Sequence, residues 1–179
     1  SDATELSLEG RYDKEKRSVD NNVPATTSAL YYGGGAPINP AMTAGGSKIP
    51  SRDKSYDQFQ PKISLTTTAE NTTIYASYGV GFRSGGFNSS GSAALINSQL
   101  NIPVSAGLGV SDSFNKEVSK SFEVGFKGRY LDGRLAINGA MFQTDVDDNQ
   151  FFEFFAGPWG LLRVVTSIDQ LDISGSELD

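Results

Sequence analysis

The sequence predicts an all-β chain, an antiparallel transmembrane β-barrel segment. Three observations carry this. Segments of roughly ten residues alternate apolar and polar side chains with a period of two, against about five or six residues for an average soluble strand. Short turns alternate with long polar loops, which is how an outer-membrane barrel is wired. Hydrophobic residues make up only 37% of the chain. That is low for a packed globular core but ordinary where each strand has one apolar face and one wet face.

In the first segment Leu6, Leu8 and Tyr12 share one parity, and Glu5, Ser7, Glu9, Arg11 and Asp13 the other. The second sets Phe59, Ile63 and Leu65 against Gln58, Gln60, Lys62, Ser64 and Thr66. Pro61 suits a strand start or edge better than a central position. The third is the cleanest: Ile74, Ala76, Tyr78, Val80 and Phe82 face one way, and Thr73, Tyr75, Ser77, Gly79, Gly81 and Arg83 the other. The fourth places Phe122, Val124, Phe126 and Tyr130 against Glu123, Lys127 and Arg129. In the fifth, Leu135, Ile137 and Met141 oppose Asn138 and Thr144, while Phe142 breaks the pattern. The sixth has Leu162, Val164, Thr166 and Ile168 against Arg163, Ser167 and Asp169. No segment shows a helical period with caps.

The tight turns Ala69-Glu70-Asn71 and Leu131-Asp132-Gly133-Arg134 fall on one side, periplasmic by the barrel rule. Residues 21–56, 84–118 and 149–161 then become extracellular loops. The first two exceed the lengths common in compact soluble domains. The lipid-facing set is Ile74, Ala76, Tyr78, Val80, Phe82, Phe122, Val124 and Phe126. A charge on this face at the bilayer midplane costs about 2–4 kcal/mol, and Val80→Arg is the substitution the pattern suggests as a test.

Composition excludes several function classes. Lys and Arg total 15 and Asp and Glu 21, a net charge of −6 with no basic stripe, so nucleic acid is not the expected partner. The absence of Cys removes disulfides and thiolate metal sites. The absence of His removes the usual general base, the commonest metal ligand and any Ser-His pair. No enzyme, cofactor or metal site is expected. No run approaches the roughly 18 apolar residues that mark a spanning helix, and no signal-peptide pattern opens the chain. The chain starts close to one alternating segment and stops at Ser176-Glu177-Leu178-Asp179 without a turn, which reads as an internal piece of a longer protein.

Particular residues then carry a resemblance. The stretch from Ile74-Tyr75-Ala76-Ser77-Tyr78-Gly79-Val80-Gly81-Phe82 through Arg83-Ser84-Gly85-Gly86-Phe87-Asn88 resembles a strand and rim segment of TonB-dependent outer-membrane receptors. Pro61-Lys62-Ile63-Ser64-Leu65 resembles the preceding strand of that family. Ser121-Phe122-Glu123-Val124-Gly125-Phe126-Lys127, followed by Leu131-Asp132-Gly133-Arg134-Leu135, is similar to its next hairpin. Ile173-Ser174-Gly175-Ser176-Glu177-Leu178-Asp179 is similar to a later strand, with Asp where the family has Glu. The resemblance implies about six consecutive strands of a barrel of about 22, closed in the family by a plug. The whole chain, residues 1–179, would be partial barrel domain, without the plug or the TonB box. It further implies a bacterial outer-membrane location, contact with lipid and, through the missing N-terminal part, with the TonB complex. The implied activity is energy-coupled uptake of a small-molecule nutrient, a ferric siderophore first, with cobalamin or a glycan as alternatives. A passive porin and a soluble extracellular glycan-binding β-domain are the competing classes.

The ligand-contact candidates are Arg83, Tyr31, Tyr32, Phe154 and Trp159. Arg83 ends the wet face of the third segment, where it would meet an anionic ligand or, more plainly, pair with an acidic rim or plug residue. Phe151, Phe152, Phe154, Phe155 and Trp159 surround Glu153; they read chiefly as the outer aromatic girdle, with a minority free to stack on a ligand. Tyr31 and Tyr32 lie in a Gly-rich loop. The glycines from Gly79 to Gly86 lack the third position of a dinucleotide fingerprint, where Ser84 stands, and read as close-approach and bending sites. Asp145, Asp147 and Asp148 lack calcium-loop spacing and read as a solvated loop base.

Overall fold

The computed structural model describes residues 3–20, 50–89, 91–100, 109–157 and 160–179. Its main body is one antiparallel sheet. Six strands pair in the order β1 (Ala3–Val19), β2 (Arg52–Ala69), β3 (Thr72–Arg83), β6 (Glu117–Tyr130), β7 (Leu135–Gly157) and β8 (Gly160–Leu178). A second, two-stranded sheet joins β4 (Gly86–Phe87) to β5 (Ser113–Phe114), with the helix α1 (Ser92–Gln99) between them in sequence. Both large-sheet edges, β1 and β8, are open, so these strands form an open wall rather than a closed ring. Among the described residues no helix is long and apolar enough to cross a membrane, a test that does not bear on strands.

Local chemistry sets the two short turns. Glu70 takes a left-handed backbone (φ 49°) between β2 and β3. Leu131, Asp132 and Gly133 do the same between β6 and β7, where Gly133 N–H donates to the Tyr130 carbonyl at 3.1 Å. Gly133 adopts that geometry without steric cost.

Register then puts the apolar parities of neighbouring strands on one face. Leu6 pairs with Leu65 and Leu8 with Ile63; Ile63 pairs with Tyr78 and Leu65 with Ala76. Ile74, Ala76 and Tyr78 sit opposite Phe126, Val124 and Phe122. Val80 and Phe82 complete the β3 row, opposite Lys120 and Val118. On β6 this face runs from Tyr130 to Lys120, a stretch of about 33 Å at about 3.3 Å per residue. At a tilt of about 45° that projects to about 23 Å, close to the height of a barrel's apolar band. The band also runs diagonally. Its outer limit lies at Tyr12 and Phe59 on β1 and β2, but has fallen to Met141 on β7 and Leu178 on β8. A diagonal band is what tilted strands produce when crossing a layer of fixed thickness.

Three expectations need correction. Residues 149–157 and 160–161, expected within a loop over 149–161, are strand: β7 and β8 continue as a two-stranded ribbon to the Gly157–Gly160 pair, beyond the last β6–β7 pair, Val118–Asp147. Asp145, Asp147 and Asp148 therefore lie within β7, where Asp147 holds the Lys120 ammonium at 2.7 Å and Asp148 accepts from Asn115. The alternation of Leu162 and Val164 belongs to this ribbon. Val164 is fully buried with Ala93, Ile96 and Val110, and Phe155 and Leu162 pack on the same cluster. Protein packing and lipid contact write the same period of two. Third, residues 84–118 contain a helix, whose apolar residues do not form one stripe.

Pro61 lies inside β2, paired with Gly10 of β1. The β2–β3 ladder, however, ends one residue short of it, at Lys62–Gly79. Proline has no amide hydrogen to give a ladder on its second side. Beyond this point β2 pairs with β1 alone, and the end of β3 with β6 alone. Phe142, the residue that breaks the fifth alternation, faces the wet side and covers Gly175: a Cβ there would lie 2.6 Å from its ring.

Candidate ligand-facing rim and wet wall

The wet face is built by the second parity of the same strands. It carries Glu9, Lys62, Tyr75, Glu123, Lys127 and Glu177, with small residues between them. Tyr75 donates its phenol to Glu123 at 2.7 Å, and the Lys127 ammonium lies 5.7 Å from the Tyr75 ring centre. Ser121 and Thr144 share a hydrogen bond of 2.9 Å across β6 and β7. The wall is therefore lined with short polar contacts that span neighbouring strands, suited to a hydrated interior.

At the rim, Arg83 is exposed at the end of β3 and opposes Glu117 in register. The Glu117 carboxylate is already occupied, accepting from the Gln150 amide at 2.7 Å and the Asn149 side chain at 3.2 Å. Arg83 thus forms no ion pair among the described residues. Phe154 is 57% exposed on the ribbon, edge-on to Phe152 at 5.7 Å between centroids. Phe151 stacks on Phe152 at 6.0 Å, and the Arg163 guanidinium covers the Phe152 ring at 4.7 Å. Phe151 lies four residues beyond Asp147, about 13 Å along the strand. A charged rung of Lys120, Asp145 and Asp147 separates these rings from the apolar band. They form an aromatic platform on the β7–β8 ribbon, beyond the Lys120 rung. The structure brings Phe154 and Arg83 to the same end of the sheet. Tyr31, Tyr32 and Trp159 lie outside the described residues.

Sequence reasoning missed the polar hub that organises this end. Asn88, 5% exposed, accepts the Val165 amide at 2.7 Å and donates to the Val165 carbonyl at 2.8 Å and to the Ser111 carbonyl at 2.8 Å. Asn97 clasps Val110 similarly, at 2.8 and 2.9 Å. Asp112 accepts from Gly91 and Ala93 at the start of α1, supplying from elsewhere the cap that the helix lacks locally. Tyr56 is buried against Gly85 and donates to the Phe114 carbonyl. Burial pushes its phenol above the ordinary value, so it keeps the proton it donates. The signal available in sequence was a cluster of Asn and Asp around glycines, which suggests side-chain-to-backbone bonding without naming the partners.

The wall has one apolar and one polar face, short turns at one end and elaborated structure at the other. Over residues 1–179 the sequence matches the family model described as TonB dependent receptor-like, beta-barrel. The chain belongs to this family. TonB-dependent receptor barrels reside in the outer membrane and serve receptor-type transport, not enzymatic catalysis. The family assignment and the two-faced sheet agree, because a barrel wall of this class must meet hydrocarbon on one side and water on the other.

Proposed function

We propose that this chain is part of the barrel of a bacterial receptor for energy-coupled uptake of a ferric siderophore, with a plug and a TonB contact supplied by a further N-terminal domain. The single observation that supports the ligand side of this reading is the rim: an aromatic platform at Phe151, Phe152 and Phe154 lies at the same end of the wall as Arg83, which holds no carboxylate among the described residues. Flat, anionic iron complexes suit such a combination, since rings stack on rings and a guanidinium forks onto paired oxygens. Ile74, Ala76, Tyr78, Val80, Phe82, Phe122, Val124 and Phe126 form the matching lipid face, with the chain's wet face turned to the plug.

Direct binding of ferric siderophores, cobalamin and oligosaccharides to the complete receptor tests this. A siderophore is expected to bind, and Phe154→Ala and Arg83→Ala are each expected to weaken it about tenfold, or about 1.4 kcal/mol. Stability should hardly change, since both side chains are exposed. Binding of cobalamin or glycan instead, or full affinity in both variants, would overturn the ligand assignment while leaving the barrel assignment in place.

A further inference from the structure

The sheet contains a seam, and the segment between β3 and β6 is fastened across it. Above Lys62–Gly79 no ladder joins β2 to β3, so the outer halves of β1 and β2 form a hairpin held to the remaining wall by other means. The described parts of 84–116 supply those means. Lys116 extends its ammonium to the Asp57 carbonyl at 2.6 Å and to the Gln58 side chain at 2.9 Å. Tyr56 lies on Gly85, where any Cβ would collide with its ring, and bonds the Phe114 carbonyl. Arg52, the first residue of β2, forks onto the Asp112 carbonyl at 3.1 Å and the Asn88 carbonyl at 3.3 Å. Its guanidinium also stands 3.6 Å from the Asp112 carboxylate and 5.1 Å from the Phe87 ring centre. At the far end, Asn88 binds the Val165 backbone as a neighbouring strand would.

We propose that residues 84–88 and 112–116 form a releasable strap. It ties the β1–β2 hairpin to the β7–β8 ribbon, and the Arg52–Asp112 joint is its clasp. With the clasp open, the hairpin swings outward about the Pro61 level, and the mouth of the wall widens along the seam. Three features make the motion local. Pro61 interrupts backbone pairing, Gly10 and Gly79 at the same level carry no side chains to resist bending, and the ladders below stay complete. The clasp is partly hydrated, with side chains 25% and 31% exposed, so water and salt can compete for it. This inference concerns the wall and holds for any ligand.

The chain has no cysteine, so paired nitroxide labels at Ser55→Cys and Gln143→Cys report the seam in the complete membrane-inserted receptor. Asp112→Ala is expected to add a population longer by about one strand spacing, about 5 Å. Arg52→Lys should do the same, because lysine lacks the planar guanidinium fork that spans the Asp112 and Asn88 carbonyls. Asp112→Glu should retain the parent distribution. A reference pair at Glu5→Cys and Arg129→Cys, below the seam, should not move. Coincident distributions for parent and Asp112→Ala, or equal movement of the reference pair, would overturn the strap. Should Asp112→Ala fail to assemble, hydrogen exchange on the unaltered receptor decides. Raising salt to about 1 M should speed exchange several-fold at Asn88 and Val165 but not at Ser77, and uniform or absent acceleration refutes the proposal.

Discussion

Val124→Arg is expected to destabilise the membrane-inserted receptor by about 2–4 kcal/mol, whereas Val80→Arg costs about 0–1 kcal/mol. Both residues belong to the apolar parity, and sequence alone ranks them equally. Register separates them. Val124 lies between Ala76 and Met141, within a rung that includes Leu65 and holds no charge from β2 to β7. Val80 sits opposite Lys120, whose other neighbour is Asp145 and whose ammonium is bound by Asp147. A charge already resides at that depth, so water or headgroups reach it, and a second charge can do the same. Denaturant titration of the receptor refolded into vesicles gives both values. Equal costs for the two variants would show that the apolar band does not end at the Lys120 rung.

Gly125→Ala is the second large effect, expected to cost about 1–3 kcal/mol. Gly125 is buried on the wet face under the Tyr75 side chain. An added Cβ would stand 2.6 Å from the Tyr75 hydroxyl and 2.7 Å from the Gly139 carbonyl oxygen. The phenol can move, but moving it breaks its 2.7 Å bond to Glu123. The carbonyl belongs to the adjacent strand and can move only with the ladder. Removing the ring should therefore relieve part of the cost. In a double-mutant cycle with Tyr75→Ala, a coupling of at least about 0.5 kcal/mol is expected. Strict additivity would mean that the backbone contact, and not the tyrosine, makes glycine necessary. Phe142 over Gly175 repeats this arrangement on the next pair of strands, and Phe126 over Gly139 uses it on the apolar face. Aromatic rings laid across glycines help pin the register of the sheet.

The period of two in the third segment is enough to put Ile74, Ala76 and Tyr78 on one side and Tyr75 and Ser77 on the other. That follows from strand geometry alone, and the register confirms the shared face. The turns at Glu70 and Gly133 were legible for the same reason: turn chemistry is local. The rim was not. The alternation at Leu162 and Val164 resembles that at Val124 and Phe126, yet it packs on α1, which no local pattern announced. Likewise Arg83 and Phe154 could be named as exposed candidates, while Asn88, Asn97 and Asp112 could not.

What the sequence determined by itself is therefore the set of strands, their two faces and the end that carries the tight turns. These depend on neighbours one to four residues apart. The tertiary structure alone decided how far the apolar band extends, that residues 149–157 and 160–168 pair as a ribbon, and that a strap crosses the seam at Pro61. Those outcomes rest on partners far apart in the chain: Arg52 meets Asp112 across 60 positions, and Asn88 meets Val165 across 77. A side chain that can donate and accept, as Asn88 does, carries no mark of which distant backbone it will bind until the strands have brought that backbone to it.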